Sequence, residues 1–260
     1  MSDSAIRVTV LGSGTSSGVP TIGCSCAVCA SADPRDNRLR PSVLVQYDGH
    51  SVLIDITPDF RQQALRNGVK RIDAILLTHS HADHILGLDD LRPLNYHQGG
   101  SIPVYGMEQT LTVVRRIFQY AFDDKPAMSS YPKVMLTTIT AEPFELFGRT
   151  ITPVPLIHGD TAVFGYRIGN FAYLTDHSDI APESQAKLQG LDVLFLDALR
   201  HRPHPTHTTV SQAVGWVETL APRRAFFTHI SHDLPHEATN ATLPENAKLA
   251  YDGLQLEVAG

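Results

Sequence analysis

Apolar and polar positions alternate with two periods along this chain of 260 residues, one of about two and one of about 3.6. Residues 6–11 (IRVTVL) read as a buried strand rich in β-branched residues, closed by the loop GSGTSSG. Residues 42–55 (SVLVQYDGHSVLID) read as two strands joined at Asp48-Gly49, a pair that tolerates the positive φ of a tight hairpin turn. Residues 58–68 read as a helix that Pro58 starts and Gly68 stops. The apolar run IDAILLT (72–78) is a strand that leads straight into His79. Further on the pattern predicts a helix over 108–122, and strands over 151–159, 163–169, 171–176 and 192–198. A helix over 209–220 carries Val210, Ala213, Val214, Val217 and Leu220 at helical spacing, and the run AFFTHIS (225–231) ends the series as a strand.

Strands dominate both halves, helices are interleaved in each, and no Gly/Ser linker or charge run divides the chain. The expectation is a single α/β domain over 1–260, with two sheets facing each other on either side of the 123–140 stretch. GSGTSSG lacks the Gly-Lys-Ser/Thr that completes a phosphate loop, and no repeat of 20 to 50 residues is present.

Charge and cysteine usage narrow the picture. A net charge of −6 argues against strong nonspecific affinity for nucleic acid, which depends on Lys and Arg neutralising phosphates. No run approaches the ~18 apolar residues of a membrane span, and MSDSAIRV has neither the basic nor the apolar region of a signal peptide, so a cytoplasmic location is expected. All 3 cysteines stand in GCSCAVC, as Cys24, Cys26 and Cys29. In a reducing compartment an odd, clustered set reads as metal ligands or redox groups; Cys26 and Cys29 alone have redox spacing, but no thioredoxin-like βαβ context surrounds them.

The chemistry concentrates in THSHADHILGL (78–88), which places His79, His81, Asp83 and His84 directly after an apolar strand. In extended chain, residues i and i+2 point the same way, so His79 and His81 can share a metal. Asp83 and His84 begin the next turn and can serve a second ion, as in hydrolytic sites whose metals lie about 3.5–4 Å apart. The bland alternative is a histidine-rich surface loop.

This stretch resembles the HxHxDH signature of metallo-β-lactamase fold hydrolases, and later positions continue the likeness: His158 in PLIHGD, Asp176 in YLTD and His229 in FFTHIS. The resemblance implies a four-layer αβ/βα sandwich. It further implies that His79, His81 and His158 bind one divalent metal, Asp83, His84 and His229 the other, with Asp176 bridging and the ions being Mn or Zn. Over nearly the whole chain, GCSCAVC, DPRDNRLRPS, HADHILGLDDLRPLN, PHPTH and THISHDLPHE look like the phosphodiesterases that open phosphoribosyl 1,2-cyclic phosphate in the carbon–phosphorus lyase pathway. That family holds a structural zinc, which here would sit on Cys24, Cys26, Cys29 and His232, in a loop insertion at about 15–41. Three thiolates and one imidazole close a tetrahedral site and leave no place for water.

The implied reaction is attack of a metal-bridged hydroxide on phosphorus of a small cyclic phosphate ester, with Asp83 and His207 as catalytic residues. Resemblance favours His207, at the start of a helix, as proton donor to the leaving group; His204 is a weaker candidate and His201 is not expected to be catalytic. Arg35, Arg38, Arg40 and Arg92 are candidates to hold substrate phosphate through their forked donors, or surface ion-pair partners. Asp55 is a candidate to orient a ligand imidazole. His50, His97, His177 and His236 are assigned to structure or solvent. No membrane partner is expected, nucleic acid is disfavoured, and a homodimer is the form that relatives often take. Competing readings are an RNA 3′-end processing nuclease of the same fold, thioester or β-lactam hydrolysis, and a zinc-stabilised binding module without catalysis.

Overall fold

The computed structural model describes residues 5–123 and 130–259. Residues 1–4, the start of the N-terminal stretch, and 124–129, within the 123–140 stretch, lie outside the described residues. The strands are β1 Ile6–Gly12, β2 Ser42–Tyr47, β3 His50–Ile54, β4 Ala74–Leu76, β5 Ile102–Gly106, β6 Val134–Thr138, β7 Phe144–Leu146, β8 Arg149–His158, β9 Thr161–Ile168, β10 Phe171–Leu174, β11 Val193–Asp197, β12 Arg224–Thr228, β13 Ala247–Leu249 and β14 Gln255–Val258. The helices are α1 Phe60–Asn67, α2 Ala82–Ile85, α3 Arg92–Gln98, α4 Glu108–Ile117, α5 Pro182–Ala186, α6 Val210–Leu220 and α7 His236–Asn240.

One sheet runs β14-β1-β2-β3-β4-β5-β6 and the other β13-β12-β11-β10-β9-β8-β7. The period of two in each strand feeds two cores. Val43, Val45, Val52, Ile54, Ala74 and Leu76 face Phe164, Tyr166, Phe171 and Phe195 of the opposite sheet. Leu44, Leu53 and Ile75 point outward to Phe60, Leu88, Leu91 and Leu111. On the far side Leu194, Leu196 and Phe227 meet Val210, Ala213 and Val217 of α6. The result is the αβ/βα sandwich. Each such fully buried side chain contributes roughly 1.5–3 kcal/mol relative to exposure.

The hairpin turn sits at Asp48 and Gly49, with φ of 49° and 79°, as the residue pair dictates. Helix α1 ends where Gly68 takes φ 63° and donates back to Ala64 and Leu65 carbonyls. Helix α6 is capped by Thr209 and Gln212 in a reciprocal capping box, so it starts at Val210. The helix expected over 108–122 stops at Ile117: the chain leaves helical geometry at Phe118, whose ring is buried in the outer core, and resumes as a short 3-10 turn.

Two features position the site. Strands β3 to β6 and β10 to β13 are parallel, and their C-terminal ends point to one rim of the sandwich. At that rim Phe164 N–H donates to Thr78 O (3.0 Å) and Tyr166 Oη to Leu77 O (2.6 Å), joining the sheets beneath the histidine loop.

Candidate metal centre

Asp55, His79, Asp176, Asp197 and His229 all stand at or just past the C-terminal ends of parallel strands. Asp55, Asp176 and His229 have left-handed backbone, at φ 62°, 53° and 57°. Each such non-glycine residue costs on the order of 1 kcal/mol or more, and strain of this kind gathers at functional sites. Asp176 and His229 join the ligand groups directly, whereas Asp55 lies behind them against His84.

The structure brings the sequence-predicted residues into two groups that share Asp176. His79, His81, His158 and Asp176 form one, and Asp83, His84, Asp176 and His229 the other, with ligand atoms in each group within 4.8 Å of one another. Asp176 Oδ1 lies 3.2 Å from His229 Nε2 and 3.9 Å from His79 Nε2, and Oδ2 lies 3.3 Å from His84 Nε2.

Behind these groups a second row of hydrogen bonds orients His79, His84 and His158. Buried Asp55 accepts from the Thr78 N–H and Oγ (both 2.8 Å) and from His84 Nδ1 (2.7 Å), leaving His84 Nε2 for a ligand. Because the Thr78 hydroxyl spends its proton on Asp55, it accepts from His79 Nδ1 (2.9 Å), and His79 Nε2, left as an acceptor, lies 2.9 Å from His81 Nδ1. His158 Nδ1 donates to the Thr206 carbonyl (2.8 Å). The expectation for Asp55 thus meets a bond of suitable geometry.

Charge and hydrogen-bond inventory test whether divalent cations fit. Asp83 Oδ2, His84 Nε2 and His229 Nε2 are buried without hydrogen-bond partners, although they converge on the same space. Such orphaned atoms are costly unless a ligand satisfies them. Burial would lower His84 and His229, but the carboxylates outweigh it: Asp176, Asp83 and Asp55 push His84 well up, and Asp176 with Asp83 and Asp197 raises His229 to about 9. Despite opposing burial, Asp83 and Asp176 stay well below the usual carboxylate range, Asp83 through His84 and His229, Asp176 through His229 and His84. Burial lowers His79 and His158, keeping these imidazoles neutral. Asp83 and Asp176 draw protons onto His84 and His229 where no cation stands between them, and that buried anionic pair beside the neutral His79 and His158 suits divalent metal ions, which would replace those protons.

The cysteine cluster is built separately. Cys24, Cys26 and Cys29 Sγ stand 3.2, 3.5 and 3.4 Å from His232 Nδ1. Zn–S near 2.3 Å and Zn–N near 2.0 Å give a tetrahedral edge of about 3.5 Å, so the four atoms have the spacing of a closed zinc site. The Cys29 N–H, donating to Cys26 Sγ, lowers that thiol to about 6, whereas burial raises Cys29 to about 11. The loop is pinned to the segment that carries His229. Gly14 N–H donates to Leu39 O, Thr15 N–H to Ile230 O and Ile230 N–H to Ser13 O.

Sequence reasoning offered Arg38 as a phosphate binder, and the structure corrects this. Arg38 is 1% exposed; it donates to Asp36, to the Ser231 and Leu234 carbonyls and to the Arg35 carbonyl, and so holds the loop together from inside. Arg35 pairs with Asp33 and Glu237, Arg40 with Asp59, and Arg92 with Asp89. His50 stacks on Phe147, His97 lies against Tyr96, the His236 N–H donates to Asp36, and His201 is exposed.

His207 is not at a helix end, since α6 is capped at Thr209. Its Nδ1 bonds Asp197 Oδ2 at 2.7 Å, and its ring lies 4.6 Å from that of His229 and 4.9 Å from that of His158, against both groups. Asp197 went unnoticed in DVLFLDA, where it reads as the last residue of a strand. The same Oδ2 accepts from the His177 N–H (3.1 Å), and Thr208 Oγ donates to His177 O (2.7 Å), so buried His177 belongs to the frame that fixes this pair.

Among the described residues no helix is long and apolar enough to cross a membrane. Residues 50–230 match the description of a beta-lactamase superfamily domain. The fold superposes at TM-score 0.92 on the crystal structure of a diphosphatase from the PhnP family, which is 56% identical over 98% of this chain and 97% of that one. An octanoyltransferase of Porphyromonas gingivalis is 40% identical over 254 residues, 96% of this chain; the chain spans about half (51%) of that relative's length. A ribonuclease Z of Bradyrhizobium diazoefficiens is 31% identical over 137 residues, 51% of this chain and 45% of that protein. The chain belongs to the beta-lactamase superfamily and, within it, to the PhnP family.

Proposed function

We propose that the chain is a dinuclear metal-dependent phosphoric diester hydrolase acting on a small cyclic phosphate ester, phosphoribosyl 1,2-cyclic phosphate or a related cyclic nucleotide. The observation that carries this reading is the pair of ligand groups sharing buried Asp176, with the His207–Asp197 pair against both. His79, His81 and His158 would hold one ion and Asp83, His84 and His229 the other, with Asp176 available to both; Cys24, Cys26, Cys29 and His232 would hold a structural zinc. When bound, the two ions supply a nucleophile from water at neutral pH and offset charge on the phosphoryl oxygens.

The chain's own groups do the rest. Asp83 and Asp176 bring the anionic charge that keeps the ions in place. Asp197 accepts from His207 Nδ1, which aims Nε2 at the cleft and stabilises the imidazolium. Protonated His207 gives its Nε2 proton to the leaving alkoxide oxygen as its bond to phosphorus breaks. The PhnP-family diphosphatase supports a second reading, a P–O–P bond as the scissile group. The ribonuclease Z match supports an RNA reading, which the net charge of −6 disfavours.

The test is a panel of ribose 1,2-cyclic phosphate, 2′,3′-cyclic nucleotides, a diphosphate diester and precursor transfer RNA, with bis(p-nitrophenyl) phosphate as reporter. The first two should turn over fastest, and His79→Ala or Asp83→Ala should abolish turnover. Full activity in both variants would sink the proposal.

A further inference from the structure

The segment between β11 and α6 carries a second imidazole beside His207 that the reaction above does not use. His204 stands with its ring 5.0 Å from that of His207, in a row that leads through His207 to His229 and His158. Its loop is built from several sides. Arg200 donates from Nε to Arg202 O (3.2 Å) and from Nη2 to Pro203 O (3.1 Å), Arg202 pairs with Asp233, and the Thr206 carbonyl is tied to His158. Beneath it lies Gly159 at φ 60°, where a Cβ would come within 2.7 Å of Thr206 Cγ2, so the turn at Gly159 makes room for the loop.

This scaffold fixes the His204 tautomer. The Thr206 N–H donates to His204 Nδ1 (3.4 Å), with Thr206 Oγ also close (3.2 Å), so Nδ1 is an acceptor and the ring proton sits on Nε2. Nε2 has no hydrogen-bond partner among the described residues. Burial, with the charges of His207 and Arg200, lowers His204, which keeps it neutral at pH 7. A neutral N–H on a ring within the field of the Arg200 charge is a donor to an anionic oxygen, and the ring stands next to His207, the group that protonates the leaving oxygen.

We infer that His204 is a substrate-binding residue whose Nε2–H takes an anionic group attached on the leaving side of the scissile phosphorus, a second phosphoryl or a carboxylate. The inference rests on the hydrolase reading and gives it a substrate class: phosphate esters whose leaving portion carries its own negative charge.

Calorimetric titration of the metal-loaded protein with orthophosphate, pyrophosphate and phosphonoacetate tests it, with metal content measured before and after. Wild type should bind pyrophosphate more tightly than orthophosphate. His204→Ala should lose about tenfold in pyrophosphate affinity, the scale of one hydrogen bond to a charged group, with orthophosphate unchanged. His204→Gln, which keeps an N–H donor, should recover part of the loss. A matching loss for phosphonoacetate assigns the site to anionic groups in general, and a loss confined to pyrophosphate assigns it to phosphoryl. Equal affinities of wild type and His204→Ala for pyrophosphate, or equal losses for all three anions, would overturn the inference while leaving the hydrolase reading intact. Wild type that binds no orthophosphate at all would overturn both.

Discussion

Replacing Arg38 with Met separates a structural arginine from a phosphate-binding one. The side chain makes four donations: Nε to Arg35 O (3.2 Å), Nη1 to Ser231 O (2.9 Å), and Nη2 to Leu234 O (2.7 Å) and Asp36 Oδ1 (2.9 Å). Methionine fills much of the volume but takes a donor from three carbonyls, of which Ser231 O keeps only a long bond from the Leu234 N–H (3.5 Å), and leaves Asp36 Oδ1 with the His236 N–H (2.9 Å). Breaking a buried ion pair by removing one partner costs about 3–5 kcal/mol. For a chain of this size that is a fall in Tm on the order of 10 °C. Thermal unfolding at fixed metal concentration reads the loss, and kinetics below the transition read the site. Tm should drop by that amount with KM within about twofold, since about half a kcal/mol or less is all that a remote repacking should pass to the cleft. A KM raised tenfold or more with Tm unchanged would refute the reasoning and return Arg38 to the phosphate.

Cys26→Ser should lose one equivalent of zinc by elemental analysis while the two active-site equivalents stay; emptying of the dinuclear groups would show that the loop is not a separate site. His207→Ala should lower kcat by about 10²–10⁴ with little change in KM, the range for a lost general acid, and Asp197→Asn should lower it by on the order of 10² through the wrong tautomer. Unchanged kcat in either variant, at full metal content, would remove that pair from the mechanism. Burial raises the Asp252 carboxyl from 3.8 to about 6, against its bonds to Leu39 N–H and Ser13, so the folded protein holds a proton that the unfolded chain has released between those values. Its contribution is therefore greatest below pH 4 and falls by up to about 3 kcal/mol as pH rises through 6. In metal-free protein, the wild-type stability relative to Asp252→Asn should decline over that window, and a difference that is flat or rising with pH would contradict it.

The parts legible in the chain were those with a local cause. A β-branched alternation and an Asp-Gly pair are enough for the hairpin of β2 and β3, and a run from IDAILLT into HSHADH announces a strand end that carries metal-type ligands. Strands β5, β6, β7, β13 and β14 were unread because they are short, and β6 and β14 are largely unburied on one face, so their pairing is decided by the sheet and not by local pattern. Asp197 was hidden because an acidic residue closing a strand has many uses, and only the fold brings it 2.7 Å from His207. Arg38 misled for the opposite reason. A basic residue in a polar loop looks solvated, and only tertiary contact with residues nearly two hundred positions away shows it buried.

The central claim is that two metal ions share Asp176 while a third is tied up by the cysteines. Anomalous diffraction from crystals of the metal-loaded protein, collected at the zinc and manganese edges, tests it most directly. The account predicts two peaks flanking the Asp176 carboxylate, one among His79, His81 and His158 and one among Asp83, His84 and His229. A third peak, at the zinc edge, should lie within Cys24, Cys26, Cys29 and His232. A single peak at the cysteines, with the Asp176 cleft empty under saturating metal, would contradict it.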